Sequence, residues 1–148
     1  MAARLMTLEA AVVLMGAVLA LKLVPFRRVV RWGGFRASEP PPGKQSSLPA
    51  RHPGSPGQVG HAVQRAARHL PLNLLCLPQA LAAQWMLRRR GIASTLHFGM
   101  AKSSEGECPM QAHAWLTVAG LGVVGIAASR GFIEVARFSR ETTDYTIQ

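Results

Sequence analysis

Acids are scarce in this sequence. Seven Asp and Glu face seventeen Lys and Arg, for a net charge of +10. No carboxylate occurs between Glu39 and Glu105, and Asp144 is the sole aspartate. That excludes reactions run by paired carboxylates, and Mg²⁺ or Ca²⁺ sites built from carboxylate oxygens. Cysteine is also rare: Cys76 and Cys108 are too few for a disulfide framework. Charged residues make up 16% of the chain, against roughly 25% in ordinary soluble domains. Part of the surface is therefore expected to face a membrane or a partner. Any chemistry must rest on Cys, His, Ser or backbone groups.

Aromatic residues are sparse too, and this weighs against the first reading of the positive charge. Nucleic-acid binding calls for basic patches with stacking aromatics or a recognisable module. The basic clusters Arg27/Arg28/Arg31/Arg36 and Arg88/Arg89/Arg90 lie apart in the chain, and no helix-turn-helix, zinc-finger or RNP pattern accompanies them. Nucleic acid is not expected as a partner. An anionic membrane or an acidic protein suits the charge better.

What is present is 49% apolar side chains in 148 residues, enough for one domain with a real core. The most apolar stretch is 5–25, but its uninterrupted uncharged run, Ala10 to Leu21, is bracketed by Glu9 and Lys22. That run falls short of the ~20 residues a bilayer span needs. A tilted span with the Arg-rich segment on the cytoplasmic side is one reading. A signal peptide with Arg4, Ala17 and Ala20 is another, opposed by the basic cluster that follows. The favoured reading is a helix buried against the domain or lying on a membrane, ended by Pro25. Phe26 to Phe35 reads as a short basic turn or helix closed by Gly33-Gly34.

Residues 38–57 hold six prolines and three glycines, a density that reads as a linker or long loop. The division expected is 1–37 as an N-terminal apolar helix and basic segment, 38–58 as linker, and 59–148 as the core. Within the core, Val63, Ala66, Ala67 and Leu70 share one face of a helix over Val59–Leu70, stopped by Pro71. A second helix runs over Gln79–Arg90 to Gly91. Proline favours the first helical turn, so Pro78 puts Cys76 at or just before the N-terminus of that helix. Strands are expected at Ser94–Met100, Gln111–Val118 and Gly122–Ala127, with a fourth at Glu134–Phe138. The class is α+β: a Cys-bearing helix on a small antiparallel sheet, plus the N-terminal helix.

Two residues stand out for chemistry. A cysteine at a helix N-terminus meets free N–H groups and a dipole that favour a thiolate and an oxyanion. The alternative is a small core hydrophobe, the usual fate of a free cysteine. His113 lies mid-strand between Ala112 and Ala114, which leave room around the imidazole. A helix starting at Cys and packed on a strand carrying His is the requirement for a Cys–His nucleophilic site; the alternative is a structural histidine. His52, His61 and His69 read as solvated, and His97 as facing opposite to Leu96 and Phe98. A zinc site from Cys76, His97, Cys108 and His113 lacks paired ligand spacings, so no metal and no cofactor are expected. Cys108 reads as a bystander, and a Cys76–Cys108 disulfide is not expected in a reducing cytoplasm.

At these residues the sequence resembles a family. Cys76-Leu77-Pro78-Gln79-Ala80-Leu81 followed by Leu87-Arg88-Arg89-Arg90-Gly91-Ile92 is similar to the Cys block of the lasso-peptide leader peptidases. His113-Ala114-Trp115-Leu116 is similar to their His block, and Val24-Pro25-Phe26-Arg27-Arg28 after an apolar helix to their start. The resemblance covers about 59–140. It implies a transglutaminase-like (papain-like) fold and a stand-alone cysteine protease of bacterial antimicrobial-peptide maturation; the expected location is the cytoplasm, with membrane association through the N-terminal helix as the other reading. Such a protease removes the leader from a ribosomally synthesised precursor. It implies Cys76 as nucleophile and His113 as base, and as partners the leader-core precursor, a separate leader-recognition protein and an ATP-dependent macrocyclase.

One departure accompanies the resemblance. Members with a full triad carry Asp about a dozen residues after the His, where this chain has Gly125, and no Asp, Asn or Glu occurs from Met110 to Ile133. Three arrangements are open: a dyad with His113 oriented by a backbone carbonyl, one oriented by Ser129, or an acid from outside the strand, with Glu134 nearest. A different class of reading is a catalytically weak adaptor that presents the precursor to the cyclase or to a membrane.

Overall fold

The computed structural model describes residues 2–25, 28–29, 36–37, 55–70, 76–102 and 110–139. Residues 38–54 of the expected linker, most of the basic segment at 26–35, His52, Cys108 and Asp144 lie outside the described residues.

The chain order is α1 (Ala2–Leu23), β1 (Arg36–Ala37), α2 (Pro56–His69), α3 (Cys76–Arg89), β2 (Thr95–Lys102), β3 (Met110–Val118), β4 (Leu121–Val124), α4 (Ile126–Ser129) and β5 (Ile133–Ser139). The strands form one antiparallel sheet in the order β1-β5-β2-β3-β4. The helix α3 packs on β2, β3 and β4, and α1 packs on α2 and α3. This makes α3 the middle helix, covered by the sheet on one side and by α1 on the other. Its burial follows: Ala80, Leu81, Ala82, Ala83, Met86 and Leu87 are all fully buried. The core between α3 and the sheet is closed by Leu96, Leu116 and Val124, each worth about 1.5–3 kcal/mol of burial.

The helix ends follow local chemistry. Pro56 opens α2, whose cap Ser55 accepts a hydrogen bond from Gln58 N at 3.4 Å. This helix therefore starts inside the expected linker, because a Ser-Pro pair caps a helix as readily as it makes a loop. At the end of α3, Gly91 N donates to Arg88 O and Ile92 N to Leu87 O, the paired bonds that close a helix on a glycine.

One expectation changes here. The stretch Gly122–Ala127 is not one strand: β4 ends at Val124, the chain turns at Gly125 with φ 80°, and α4 begins at Ile126. The N-terminal helix ends just before Pro25, in line with the favoured reading, and its Glu9 has a partner at the end of α3. Arg90 clamps it with two bonds, Nη1 to Oε1 at 3.1 Å and Nη2 to Oε2 at 2.7 Å. Arg90 also donates to Met86 O, which locks the guanidinium at the end of α3. This hydrogen-bonded guanidinium holds the Glu9 carboxyl below the usual carboxylate range.

Candidate functional site

Cys76 is the first residue of α3 and is half-buried. The early end of β4 decides what it meets. Below Leu116 the edge of β3 has no β4 partner, so a backbone donor there is open to another group. Ala114 N–H donates to Cys76 Sγ at 3.3 Å. The start of α3 is thereby docked on the strand one residue from His113.

His113 lies opposite Gly99 of β2 and is half-buried. Its Nε2 is 2.8 Å from Gly125 O. A carbonyl oxygen only accepts, so Nε2 carries the hydrogen, and in the neutral ring Nδ1 holds the lone pair. Among the arrangements open from sequence, the backbone carbonyl is the one seen. Gly125 supplies it from a conformation that excludes side chains: φ is +80°, and a Cβ there would come 2.8 Å from Ala114 O.

Neither side-chain candidate takes that place. Ser129 Oγ donates instead to Ile126 O at 2.8 Å. The Glu134 carboxylate accepts from Arg137 Nε at 2.6 Å and Nη2 at 3.0 Å. Its Oε1 also lies 3.3 Å from His97 Nδ1, without the alignment of a hydrogen bond. The Arg137 guanidinium is the main cause that holds Glu134 below the ordinary carboxylate range. The expectation of Glu134 as the third member therefore meets a carboxylate engaged with a different histidine, since β5 delivers it beside β2 rather than β3.

Sequence reasoning singled out Trp115 only as part of the His block and passed over Phe132. The structure makes them the walls of the imidazole. Ring centroids run Phe132 to His113 at 5.2 Å, His113 to Trp115 at 6.0 Å and Trp115 to His97 at 5.4 Å, the last two stacked. Gly99 makes room for this row, for a Cβ there would come 2.8 Å from Trp115 Cζ3 and 2.9 Å from Phe132 Cβ. The readable signal was a lone glycine inside an otherwise regular strand, which marks a close approach. As expected, His97 faces opposite to the core residue Leu96. It is buried under Trp115, with Nε2 2.8 Å from Thr117 Oγ1. Burial, outweighing Glu134, pushes its pKa down and favours the neutral ring. His61 and His69 of α2 are exposed. Among the described residues, no three His, Cys, Asp or Glu side chains gather as a metal site.

A thiol at a helix start, docked on the strand one residue from an imidazole whose Nε2 is tied to a carbonyl, brings together the residue types of nucleophilic acyl chemistry. Comparison with known proteins agrees at the level of family. Residues 20–137 match the transglutaminase-like superfamily, a span that takes in α2, α3, the Cys–His pair and nearly all of the sheet. No curated protein and no solved structure matches the chain. With a Cys-headed helix on an antiparallel sheet and that match over most of its length, the chain belongs to the transglutaminase-like superfamily, whose members are generally cysteine-protease-like or acyltransferase-like.

Proposed function

We propose that the protein is a cysteine endopeptidase that removes the leader from a ribosomally made lasso-peptide precursor in the cytoplasm. The observation that carries the reading is the pairing at β3. Ala114 N–H holds Cys76 Sγ one residue from His113, and Gly125 O engages His113 Nε2, so that the neutral ring has its lone pair at Nδ1. The family-like blocks around Cys76 and His113 supply the substrate class.

The chemistry follows from these groups. Nδ1 takes the thiol proton as sulfur attacks the scissile carbonyl carbon. The oxyanion forms beside the first N–H groups of α3, which have no partner within the helix. Collapse breaks the C–N bond, and His113 returns the proton to the departing amine of the core peptide. The leader is left as a thioester on Cys76. A water molecule, deprotonated by Nδ1, then attacks the thioester carbonyl, freeing the leader carboxylate and the thiol. The new amine is the group that a partner cyclase would join to an acidic side chain of the core. A separate recognition protein would present the leader.

A second reading, a weakly active adaptor, is favoured by one feature. The group orienting His113 is a neutral carbonyl rather than a carboxylate, so it offers less stabilisation to the imidazolium formed during attack. Cleavage of precursor in the presence of the recognition protein and cyclase separates the two. The peptidase reading expects Cys76→Ala to abolish leader release, followed by mass spectrometry. Unchanged release by that variant contradicts it.

A further inference from the structure

The outer face of α1 is unusual for a domain helix. Ala10, Leu14 and Ala17 are fully buried against the domain. On the opposite side Leu5, Leu8, Val12, Met15, Leu19 and Leu23 are 46–72% exposed. Their spacing of three and four residues draws one aliphatic stripe along the whole helix. Arg4 and Lys22, both exposed, stand at its two ends, about 27 Å apart at 1.5 Å per residue. The one carboxylate of α1, Glu9, is drawn off this face by Arg90.

We infer that this face docks the protein on an anionic lipid bilayer, with α1 lying in the plane of the interface. Three observations select that occupant. The stripe is aliphatic and flanked by cations, which suits acyl chains below with anionic headgroups at either end. A second copy of the chain fits less well. Whether two α1 helices met parallel or antiparallel, Arg4 and Lys22 would face only one another, with no free acid on α1 to offset them, in a protein of net charge +10. Spanning fits less well too, although Ala3–Leu23 is long and apolar enough, with a mean hydropathy of 1.9. A span would pull Ala10, Leu14 and Ala17 off α2 and α3 and carry Glu9, stripped of Arg90, into hydrocarbon. In-plane docking keeps every one of those contacts. The superfamily match begins at residue 20, so the stripe lies almost wholly outside it and stands apart from the peptidase reading.

The test is flotation of the full chain with vesicles of phosphatidylcholine alone and of phosphatidylcholine mixed with phosphatidylglycerol. Binding is expected to the mixed vesicles, to weaken as salt is raised, and to be reversed by alkaline carbonate. The double variant Val12→Glu/Leu19→Glu, at two exposed sites, should bind about tenfold less or worse while keeping its circular dichroism and melting temperature. Should that variant lose its fold, Val12→Ser/Leu19→Ser gives the same comparison without new charge. Four results overturn the proposal: no flotation with the mixed vesicles, equal flotation of folded variants, carbonate-resistant retention that marks a span, or a lipid-free dimer in sedimentation that the variants dissociate.

Discussion

Gly125 has no side chain, yet the orientation of His113 depends on it. The carbonyl reaches Nε2 because β4 stops one residue earlier and the backbone turns through φ +80°. A side chain there meets two penalties at once. The left-handed conformation costs roughly 1–2 kcal/mol for a residue with Cβ, and that Cβ would press on Ala114 O, the neighbour of the donor that holds Cys76. Restoring an acid by Gly125→Asp is therefore expected to reduce leader release rather than improve it, and Gly125→Ala to reduce it as well, each by about tenfold or more given the combined strain. Initial rates of precursor cleavage check this. A rise in rate for Gly125→Asp would show that the carbonyl is a poor stand-in rather than the working partner.

At the scale of elements, α3 and α1 are held together by apolar packing and one clamp. Arg90 is 19% and Glu9 25% exposed at the side chain, so this ion pair is shielded more than a surface one. The lowered pKa of Glu9 fixes the sign of its pH dependence. As pH falls the unfolded chain takes up the proton first, so the contribution is complete above about 4.5 and is lost as pH drops through the lower folded value. Glu9→Gln is expected to cost about 1–2 kcal/mol at neutral pH and to flatten part of the acid limb. Glu134, also held low, keeps the rest. Urea melts at several pH values read both effects; an unchanged midpoint at neutral pH would remove the clamp from the account. The same elements show what the sequence could tell. The α3 start at Cys76, its stop at Gly91 and the strand of His113 were legible, because proline, glycine and alternation act locally. The start of α2 at Pro56 and the break at Gly125 were not, because serine, proline and glycine serve caps, turns and loops alike. Glu9 looked like the end of an apolar segment since its partner lies 81 residues away. Glu134 looked near His113 in sequence, but the sheet order puts β5 beside β2.

For the whole molecule, the shortage of acids ends as a division of labour. Of the acids among the described residues, Glu9 ties α1 to α3, and Glu134 pairs with Arg137 beside His97. The orientation of His113 falls to the backbone. The lipid-facing stripe lies on the outer side of α1, away from the sheet, while His113 stands with Trp115 and His97 on the sheet face opposite Leu96. The chain also carries its own control, for Cys108 is the only other cysteine. The most direct test of the central claim is the rate of alkylation at each cysteine, resolved by peptide mass spectrometry at neutral pH, in the native chain and in His113→Ala. The account predicts that Cys76 reacts faster than Cys108 and that the variant slows Cys76 alone. Equal rates at the two cysteines, or a Cys76 rate indifferent to His113, would contradict it.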